Sequence, residues 1–365
     1  MSEFDERKTR VLVVRPDRLG DVLLSTPVLS VLRQNMPQAL ITMMIRAEVA
    51  PIIRGLPVLD DTMIYDPLVA HAGVRGFFRL VGELRRRKFR IAIVLNSQWK
   101  IAAALFLAQI RYRIGPLSKP HSFLFFNRGM RQARSKVEMH EADYNIQLLR
   151  RLGIRVDARR VPTMVSVPES SAQAAQDWLS AQGWNRNEPL IVVHPGMGGS
   201  ALNWPLKHYA EYIKVLSNEG KQVLVTGGPA ESALLQEVGT LLGETVRKVW
   251  FYGGAEAKSV DFLAGLLQCA SLMVASSTGP MHLAVALGKP VLTFYSGVRV
   301  QSAIRWGPYV QDDDSASVLV PEVFCGQEFH CIGPLCNYYP CMPMLSVAQA
   351  LEETQVLLSR TRTTK

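Results

Sequence analysis

A run of small polar residues has the composition of a phosphate-binding loop. Residues 276–280 read Ser-Ser-Thr-Gly-Pro and lie between an apolar segment of strand length, 272–275, and a helix predicted over 281–287. The first N–H groups of a helix have no partners within it, and the helix dipole favours an anion there. The hydroxyls add donors, the glycine permits close approach of the backbone, and the proline suits the first helical position. A βαβ turn with a Ser/Thr cap explains the same residues without a ligand.

Two other predicted strands in the second half of the chain end in small residues. The strand predicted over 190–193 leads into His-Pro-Gly-Met-Gly-Gly-Ser, and the strand over 222–226 leads into Gly-Gly-Pro. Parallel strands deliver their carboxyl ends to one edge of a sheet. We therefore predict that loops 196–200, 226–229 and 276–279 form one cradle for a diphosphate, which favours the phosphate interpretation over the cap.

The first half of the chain carries a charged loop at the equivalent position. An apolar strand predicted over 11–14 runs into residues 15–21, Arg-Pro-Asp-Arg-Leu-Gly-Asp. A helix is predicted over 22–33, in which Pro27 either lies inside the first turn or restarts the helix behind Thr26 as the N-cap. A loop at the carboxyl end of a parallel strand is a ligand-binding position. This division suggests that the second half of the chain binds a donor nucleotide and the first half binds an acceptor.

Strands and helices alternate along the whole chain, which predicts an α/β fold with parallel sheets covered on both faces. At 365 residues two domains are expected. We place them at 1–184 and 185–345, with a polar hinge at 185–189 and a C-terminal helix over 346–365. The segment 116–139 is predicted to be an irregular insertion that shapes an acceptor site.

The composition and two missing motifs argue against several classes of protein. No stretch reaches the 18 or so continuous apolar residues of a membrane span, and the start has no apolar segment typical of a signal peptide. A cytoplasmic location is expected. The signatures GxGxxG and GxxxxGK[ST] are missing from the phosphate-loop positions, which argues against a dehydrogenase or a P-loop enzyme.

The net charge of +10 is concentrated in the first part of the chain. Residues 1–165 hold 28 Lys/Arg against 14 Asp/Glu, whereas residues 166–365 hold 13 against 17. The basic part predicts an acidic partner: nucleic acid, an anionic membrane surface or a phosphorylated substrate. A nucleic-acid partner is disfavoured because aromatic residues do not alternate with the basic clusters in a stacking pattern.

Four of the five cysteines crowd into the C-terminal part, at Cys325, Cys331, Cys336 and Cys341. They contain no CxxC pair, so the pattern is a weak signal for zinc. Free thiols are the favoured interpretation, with a metal or disulfide cluster as the alternative.

Four motifs, in order, resemble glycosyltransferase family 9, the ADP-heptose-using heptosyltransferases of lipopolysaccharide core assembly. They read RPDRLGDVLLSTPVLSVLR, HPGMGGSALNWPLKHYAE, VLVTGGPAE and SSTGPMHLAVALGKP. The resemblance implies a GT-B architecture, with two Rossmann-like domains facing across a cleft and a final helix crossing back toward the first domain. It implies an acceptor-binding first domain, a nucleotide-sugar-binding second domain and inverting transfer without a metal or other cofactor.

The resemblance also implies roles for individual residues. Asp21 corresponds to the proposed general base, although Asp17 in the same loop is an alternative, and Arg15 and Arg18 would support acidic acceptor groups or the leaving diphosphate. The donor would be bound by residues of the three small-residue loops and the helices that follow them: Gly198, Gly199, Ser200, Thr226, Gly227, Glu231, Ser277, Thr278, Gly279 and His282. A helix-start carboxylate explains Asp21 or Glu231 without chemistry, and a satisfied core histidine explains His282.

Two positions depart from the family pattern. Relatives have Asp-Thr-Gly where this chain has Ser277-Thr278-Gly279, and a lysine before Trp-Pro where it has Leu202-Asn203. An arginine such as Arg299 or Arg305 is a candidate replacement for that lysine. The alternatives are therefore another sugar nucleotide, a protein acceptor, or a sugar-nucleotide-binding protein without transferase activity. The basic first half predicts an anionic glycolipid acceptor and peripheral association with the inner face of the cytoplasmic membrane.

Overall fold

The computed structural model describes residues 9–155, 160–199 and 201–363. Two compact units divide the chain: unit 1 comprises residues 1–134 and 141–166, and unit 2 comprises residues 135–140 and 167–365. No helix among the described residues combines the length and hydropathy that crossing a bilayer requires.

Unit 1 is an α/β layer structure around one parallel sheet. Its strands are β1 (Arg10–Val14), β2 (Leu40–Ile45), β3 (Asp61–Ile64), β4 (Ile91–Val94) and β5 (Tyr112–Ile114), in the order β3-β2-β1-β4-β5. Its helices are α1 (Leu19–Leu23), α2 (Thr26–Asn35), α3 (Gly73–Arg87), α4 (Trp99–Leu107), α5 (Pro120–Phe125) and α6 (Glu141–Gln147). The order reverses direction at β1, as in a Rossmann sheet, so the loop after β1 lies at the ligand-binding switch point.

Unit 2 repeats this plan with six strands. The strands are β6 (Leu190–His194), β7 (Gln222–Thr226), β8 (Val249–Tyr252), β9 (Leu272–Ser276), β10 (Val291–Phe294) and β11 (Ala316–Leu319), in the order β11-β10-β9-β6-β7-β8. The helices are α7 (Glu169–Ala181), α8 (Leu206–Asn218), α9 (Ser232–Leu242), α10 (Val260–Gln268), α11 (Gly279–Ala286), α12 (Ala303–Trp306) and α13 (Val347–Thr363). The switch point falls between β6 and β9, and both strands are buried at every position, as expected of central strands covered on both faces.

The boundary between the units lies earlier than the predicted 184/185. Helix α7 belongs to unit 2 because it packs along α10. A methyl group on Gly265 would come within 2.8 Å of the Ala175 side chain, so the two helices approach closely through small residues. The boundary at 166/167 is therefore a correction, and the polar run 185–189 joins α7 to β6 within one unit.

The C-terminal helix packs on unit 2. Helix α13 contacts α8 and strands β9, β10 and β11. Ala350 and Leu357 are buried in the core of unit 2, and the Thr354 hydroxyl hydrogen-bonds to Tyr212 at 2.6 Å. Burial of this apolar face anchors α13 to unit 2, and a course toward the first domain, which the resemblance implies, stays a prediction.

Two predicted elements of unit 1 are more specific in the structure. The helix predicted over 22–33 ends after Leu23 and resumes as α2 with Pro27 in its first turn, which confirms the predicted restart, although the N-cap is Ser25 and not Thr26. The Thr26 hydroxyl satisfies the Leu23 carbonyl at 2.7 Å, which stabilises the break. The segment 116–139, predicted to be irregular, contains α5.

Candidate active site

The charged loop after β1 closes on a buried arginine. Arg15 lies among three carboxylates: its Nη2 is 2.6 Å from Asp21 Oδ1, its Nε 3.0 Å from Asp17 Oδ2, and its Nη1 3.5 Å from Glu141 Oε1. The Arg15 side chain is only 4% exposed and that of Glu141 only 2%. A buried cation requires such partners because removing it from water is costly. Arg134 also pairs with Glu141, at 2.5 Å.

The two aspartates of this loop have different surroundings. Asp17 accepts hydrogen bonds from Asn96 Nδ2, at 3.1 and 3.2 Å, and from Gln98 Nε2, at 3.3 Å. The Asp21 carboxylate is held by Arg15 and is 23% exposed. Burial raises the pKa of Asp21, and Arg15 opposes this effect in part. A carboxylate that is both accessible and more basic than usual suits proton abstraction, so Asp21 is the better candidate base of the two.

The two arginines of the loop differ in exposure. The burial of Arg15 and its three carboxylate partners point to a role in holding Asp21, whereas the sequence suggested direct support of the acceptor or the leaving group. Arg18 is exposed at the start of α1. It remains a candidate for contact with an anionic acceptor.

The three small-residue loops of unit 2 leave one edge of its sheet, as predicted. Strand β6 lies between β7 and β9, with Val193 paired to both Val225 and Val274. The carboxyl ends of these strands are therefore neighbours, which confirms the predicted shared edge. Gly198 and Gly199 are exposed in the loop after β6, and Ser200 lies outside the described residues.

A hydrogen-bond network fixes the loop after β6. The Ser276 hydroxyl donates to Asn203 Oδ1 at 2.6 Å, and Asn203 Nδ2 donates to the Pro195 carbonyl at 2.8 Å. The Tyr209 hydroxyl lies 3.2 Å from the Ser276 hydroxyl. Trp204 anchors the end of the loop by stacking on Phe294, with ring centroids 4.2 Å apart. A loop held in this way can present its backbone to a ligand without being reordered.

The loop after β7 is organised around Glu231. Glu231 Oε2 accepts a hydrogen bond from the Gly228 N–H at 2.6 Å and lies 3.7 Å from His194 Nε2. A methyl group on Gly196 would lie 2.2 Å from Glu231 Oε1, so the glycine makes room for this carboxylate. Burial lowers the pKa of His194, while Glu231 opposes the effect. The carboxylate thus bridges the loops after β6 and β7.

Two predicted donor-binding residues are engaged within this sheet. The Thr226 hydroxyl lies 3.1 Å from His194 Nδ1, and the Gly227 N–H donates to the Tyr252 carbonyl at 2.9 Å. These groups are occupied by protein partners. They shape the loop, and their predicted contact with the donor stays a prediction.

The loop after β9 leads into α11 as the sequence predicts. Thr278 is the N-cap, its hydroxyl accepting from the Met281 N–H, and proline follows in the first turn. Ser277 lies beside Tyr295, whose hydroxyl donates to the Trp306 carbonyl at 2.5 Å. Gly279 begins the helix, so its backbone is placed at the positive end of the helix dipole.

His282 lies one turn into α11 and is buried. Its Nδ1 has no hydrogen-bond partner among the described residues. Burial, with a contribution from nearby His140, lowers the pKa of His282 to about 3. The imidazole is therefore neutral at physiological pH. A neutral imidazole with one unpaired nitrogen near the start of this helix can form a hydrogen bond with an oxygen atom of a bound ligand.

The C-terminal cysteines share one small cavity. Cys325, Cys331, Cys336 and Cys341 line it, and no disulfide bond joins these four residues in the structure. The Gly333 N–H donates to the Cys331 sulfur at 3.3 Å. The described residues include no group of three or more His, Cys, Asp or Glu side chains placed to hold a metal ion. The free-thiol interpretation stays a prediction.

Comparison with known proteins decides which family these sites belong to. The family model described as glycosyltransferase family 9 (heptosyltransferase) matches residues 77–330. The chain belongs to glycosyltransferase family 9. It is therefore a glycosyltransferase by family.

Individual relatives agree with this assignment. A Haemophilus influenzae protein whose name assigns it provisionally to the glycosyltransferases is 30% identical over 320 residues, which cover 86% of this chain and 89% of the relative. Lipopolysaccharide heptosyltransferase 2 of Escherichia coli K12 is 27% identical over 290 residues, covering 78% and 82%.

Solved structures show the same fold. A family 9 glycosyltransferase from Veillonella parvula superposes with a TM-score of 0.83 at 21% identity, covering 98% of this chain and 99% of that one. The E. coli ADP-heptose lipopolysaccharide heptosyltransferase II has a TM-score of 0.78 at 21% identity, with 97% and 100% covered. The expected GT-B fold class, with two Rossmann-like α/β sheets, is confirmed.

The departures from the family 9 pattern have structural explanations in part. Asn203 lies near the position where the family pattern has a lysine. Its side chain belongs to the hydrogen-bond network that fixes the loop after β6. Leu202 packs against the core of unit 2. Of the two arginines considered as replacements, Arg299 pairs with Glu328 at 2.6 Å and Arg305 lies over the Trp306 ring.

Sequence reasoning missed four contributors to these sites. Glu141 reaches Arg15 from α6, and Asn96 and Gln98 reach Asp17 from the loop after β4. The sequence marked His194 only as the residue that follows a strand. The available signal for Asn96 and His194 was their position at the carboxyl ends of strands beside the switch points, whereas nothing in the sequence marked Glu141.

Proposed function

We propose that this family 9 enzyme transfers a heptose from ADP-heptose to an acidic acceptor of the lipopolysaccharide inner core, with inversion at the anomeric carbon. The observation that carries the proposal is that the chain has two features together. An accessible carboxylate of raised pKa, Asp21, follows the switch-point strand of unit 1, and three small-residue loops share one edge of the sheet in unit 2. The relatives from E. coli, a lipopolysaccharide heptosyltransferase 2 and an ADP-heptose lipopolysaccharide heptosyltransferase II, support the choice of donor and acceptor.

Asp21 is assigned the role of general base. It takes the proton of an acceptor hydroxyl while the hydroxyl oxygen attacks the anomeric carbon, and the bond from that carbon to the diphosphate oxygen breaks. One bond forms and one breaks at the anomeric carbon, so a single displacement inverts its configuration. Arg15 keeps the Asp21 carboxylate oriented and limits the rise of its pKa.

The leaving ADP gains negative charge as the bond breaks, and this charge needs fixed donors. We assign that role to the exposed backbone at Gly198 and Gly199, to the N-terminus of α11 at Gly279, and to the neutral His282. Glu231 is assigned to the nucleotide ribose. With these groups the transfer is proposed to be independent of metal, so a rate unchanged by EDTA is expected, and a rate restored only by a divalent ion would refute this part.

The proposal is tested by mass analysis of products. The pure protein is incubated with ADP-heptose or other sugar nucleotides, and with truncated core lipids or a candidate protein acceptor. A mass increase of one heptose on the core lipid, with ADP-heptose alone, is the expected result. Transfer of another sugar, or transfer to the protein, would select one of the alternatives that the sequence left open.

A paired substitution separates catalysis from donor binding. Asp21→Asn is expected to lower kcat by about a hundredfold or more, because general base catalysis contributes about 10²–10⁴-fold, and to leave the affinity for ADP unchanged. Asp17→Asn is the matched control, since Asp17 is held by Asn96 and Gln98. If the Asp17 variant lost the activity and the Asp21 variant kept it, the base would be Asp17.

The proposed location is the cytoplasm, with peripheral association at the inner face of the cytoplasmic membrane. The support is the charge of the first half of the chain, 28 Lys/Arg against 14 Asp/Glu in residues 1–165. Juxtamembrane basic residues contribute on the order of 1 kcal/mol each to attraction by anionic lipids.

A further inference from the structure

One surface of unit 1 combines positive charge with exposed apolar side chains. It consists of the exposed residues of α3, α4, α5 and their connections, within residues 73–131, and we call it the α3–α5 face. This segment holds 13 Lys/Arg and a single acid, Glu83, for a net charge of +12. The whole chain carries +10, so the basic excess of the protein resides in this segment.

The same segment exposes most of the large apolar side chains on unit 1. Among the described residues of unit 1, ten such side chains are exposed, and seven of them lie on α3, α4 or α5. Phe78 is 60% exposed, Phe123 54% and Leu124 73%. Single exposed apolar residues are ordinary, but a concentration of them marks an interaction site.

Contacts join these side chains into one surface. The Arg85 guanidinium donates to the Leu107 carbonyl at 2.8 Å, which ties the end of α3 to the end of α4. The Phe106 ring lies 5.7 Å from the Phe125 ring of α5, and Arg113 lies 5.2 Å above Phe106. The helices are also neighbours in the fold, α3 beside α4 and α4 beside α5. Apolar side chains and guanidinium groups therefore lie side by side where these helices meet.

We propose that the α3–α5 face docks on an anionic lipid bilayer, with its apolar side chains entering the headgroup region and its Lys/Arg residues among the lipid phosphates. Amphipathic surfaces bind membranes through buried apolar area together with attraction to anionic lipids. The inference deepens the proposed function and rests on it for the lipid nature of the acceptor. It goes beyond a general effect of charge, because it assigns the contact to one surface and predicts insertion.

The composition of the face favours a bilayer over other occupants. A nucleic acid would use the positive charge and could stack on the exposed aromatic rings, but it would leave the exposed aliphatic side chains, such as Leu107 and Leu124, without an apolar partner. A second copy of the same face would bring two surfaces of like charge together, which is unfavourable. A planar surface that is both anionic and apolar beneath its headgroups complements both features.

The experiment is flotation of the full-length protein with vesicles. Binding is compared for vesicles of phosphatidylethanolamine with phosphatidylglycerol and for vesicles of phosphatidylcholine alone. We expect binding to the anionic vesicles, and retention of part of that binding at about 1 M salt, where the Debye length falls to about 3 Å. Purely electrostatic binding would be lost entirely at this salt concentration and would overturn the insertion.

A matched pair of double variants locates the contact. Phe123→Ser with Leu124→Ser is expected to lower the partition coefficient about tenfold or more, because apolar area no longer enters the lipid. The control is Phe324→Ser with Leu335→Ser, which removes side chains that are 85% and 84% exposed on unit 2. Equal binding by the two double variants would overturn the assignment to the α3–α5 face.

A charge variant and two further measurements complete the test. Arg86→Glu with Arg111→Glu is expected to weaken binding at low salt and to have little effect at high salt. Both arginines are exposed, so folding is preserved, which urea unfolding checks. Sedimentation tests whether the protein forms a dimer that dissociates in the Phe123/Leu124 double variant. A competition experiment tests whether added nucleic acid displaces the protein from the vesicles. A positive result in either test would replace the bilayer as occupant.

Transfer assays keep this inference separate from the proposed function. The transfer assay uses a second double variant of the same face, Val74→Ser with Phe78→Ser, whose side chains are 73% and 60% exposed on α3 and lie outside segment 116–139. With a delipidated, soluble core oligosaccharide this variant is expected to act at the unchanged rate, and with a vesicle-embedded acceptor its rate should fall in parallel with binding. Transfer without vesicle binding would refute the docking surface alone. Vesicle binding without any transfer would refute the proposed function alone.

Discussion

Arg15 offers the sharpest test of how this site prepares its base. Replacing it by methionine leaves a side chain of similar length and removes the cation from among Asp17, Asp21 and Glu141. The perturbation is local, because the guanidinium is 4% exposed and its Nη2 lies 2.6 Å from Asp21 Oδ1. We expect the pKa of Asp21 to rise, since one stabilising charge is lost and two neighbouring carboxylates lose their neutralising partner.

The size of this rise follows from the separation of the charges. Two opposite charges about 4 Å apart interact by about 4 kcal/mol at an effective dielectric constant of about 20. A free-energy change of about 1.4 kcal/mol is a factor of ten in the rate at acid pH, so loss of the whole interaction would lower that rate by at most about a thousandfold. The Asp21 side chain is 23% exposed, and solvent screening reduces this figure. We therefore expect the pKa of Asp21 to rise and the rate at acid pH to fall by about tenfold to a thousandfold.

The assay is the dependence of kcat/KM on pH. A base must be deprotonated to act, so the acid limb of the profile reports the pKa of Asp21. In Arg15→Met this limb should move to higher pH, and at acid pH the rate should fall about tenfold for every increase of one in the pKa of the base. Activity should recover as the pH is raised. Arg15→Lys, which keeps a positive charge, should move the limb less.

Two outcomes would refute the reasoning. If the acid limb of Arg15→Met stays at the pH of the wild type, Arg15 does not set the pKa of the base. If the variant loses the same fraction of activity at every pH, Arg15 only positions the base. Breaking a buried ion pair costs about 3–5 kcal/mol of stability, so folding is monitored by urea unfolding. Adding Glu141→Gln removes one buried carboxylate and should partly restore both the stability and the limb.

Three further predictions concern unit 2. His282 has a pKa of about 3 in the folded protein against about 6.5 when unfolded, so its contribution to stability is complete above pH 6.5 and is lost as the pH falls. Urea unfolding at pH 7 and pH 5 should show that wild type loses about 2 kcal/mol more than His282→Gln, while exposed His330→Gln behaves as wild type. Gly196→Ala places a methyl group 2.2 Å from Glu231, and the displaced carboxylate should weaken ADP binding by about tenfold in calorimetry; unchanged affinity would place Glu231 outside the donor site. Trp204→Ala should lower the free energy of unfolding by about 3–5 kcal/mol, because this indole is 1% exposed in the core, and a smaller loss would show that the core collapses into the space.

Local patterns along the chain were enough to predict most of the architecture. The apolar segments around 11–14, 190–193 and 272–275 indicated strands because central parallel strands are apolar throughout. The Ser-Thr-Gly-Pro sequence at the start of α11 was predictable because capping depends on residues only a few positions apart. The shared edge of three loops followed from the rule that parallel strands align their carboxyl ends.

Long-range packing was not predictable in the same way. The boundary moved from 184/185 to 166/167 because α7 packs on α10, a contact between residues about 90 positions apart. The destination of α13 was likewise decided by the apolar groove that its face fills. Hydrophobic periodicity shows that a helix has a buried face but does not identify its partner.

By itself, then, the sequence determined two parallel α/β sheets, the phosphate-type loops at their edges, and a basic first half, since each depends on neighbouring residues or on totals. Only the tertiary structure decided that Arg15 is enclosed by Asp17, Asp21 and Glu141, and that Thr226 and Gly227 are engaged within the protein. It also gathered the exposed apolar residues and arginines of α3, α4 and α5 onto one surface. The physical reason is that burial and pairing depend on which distant segments meet, and this is settled only when the whole chain packs.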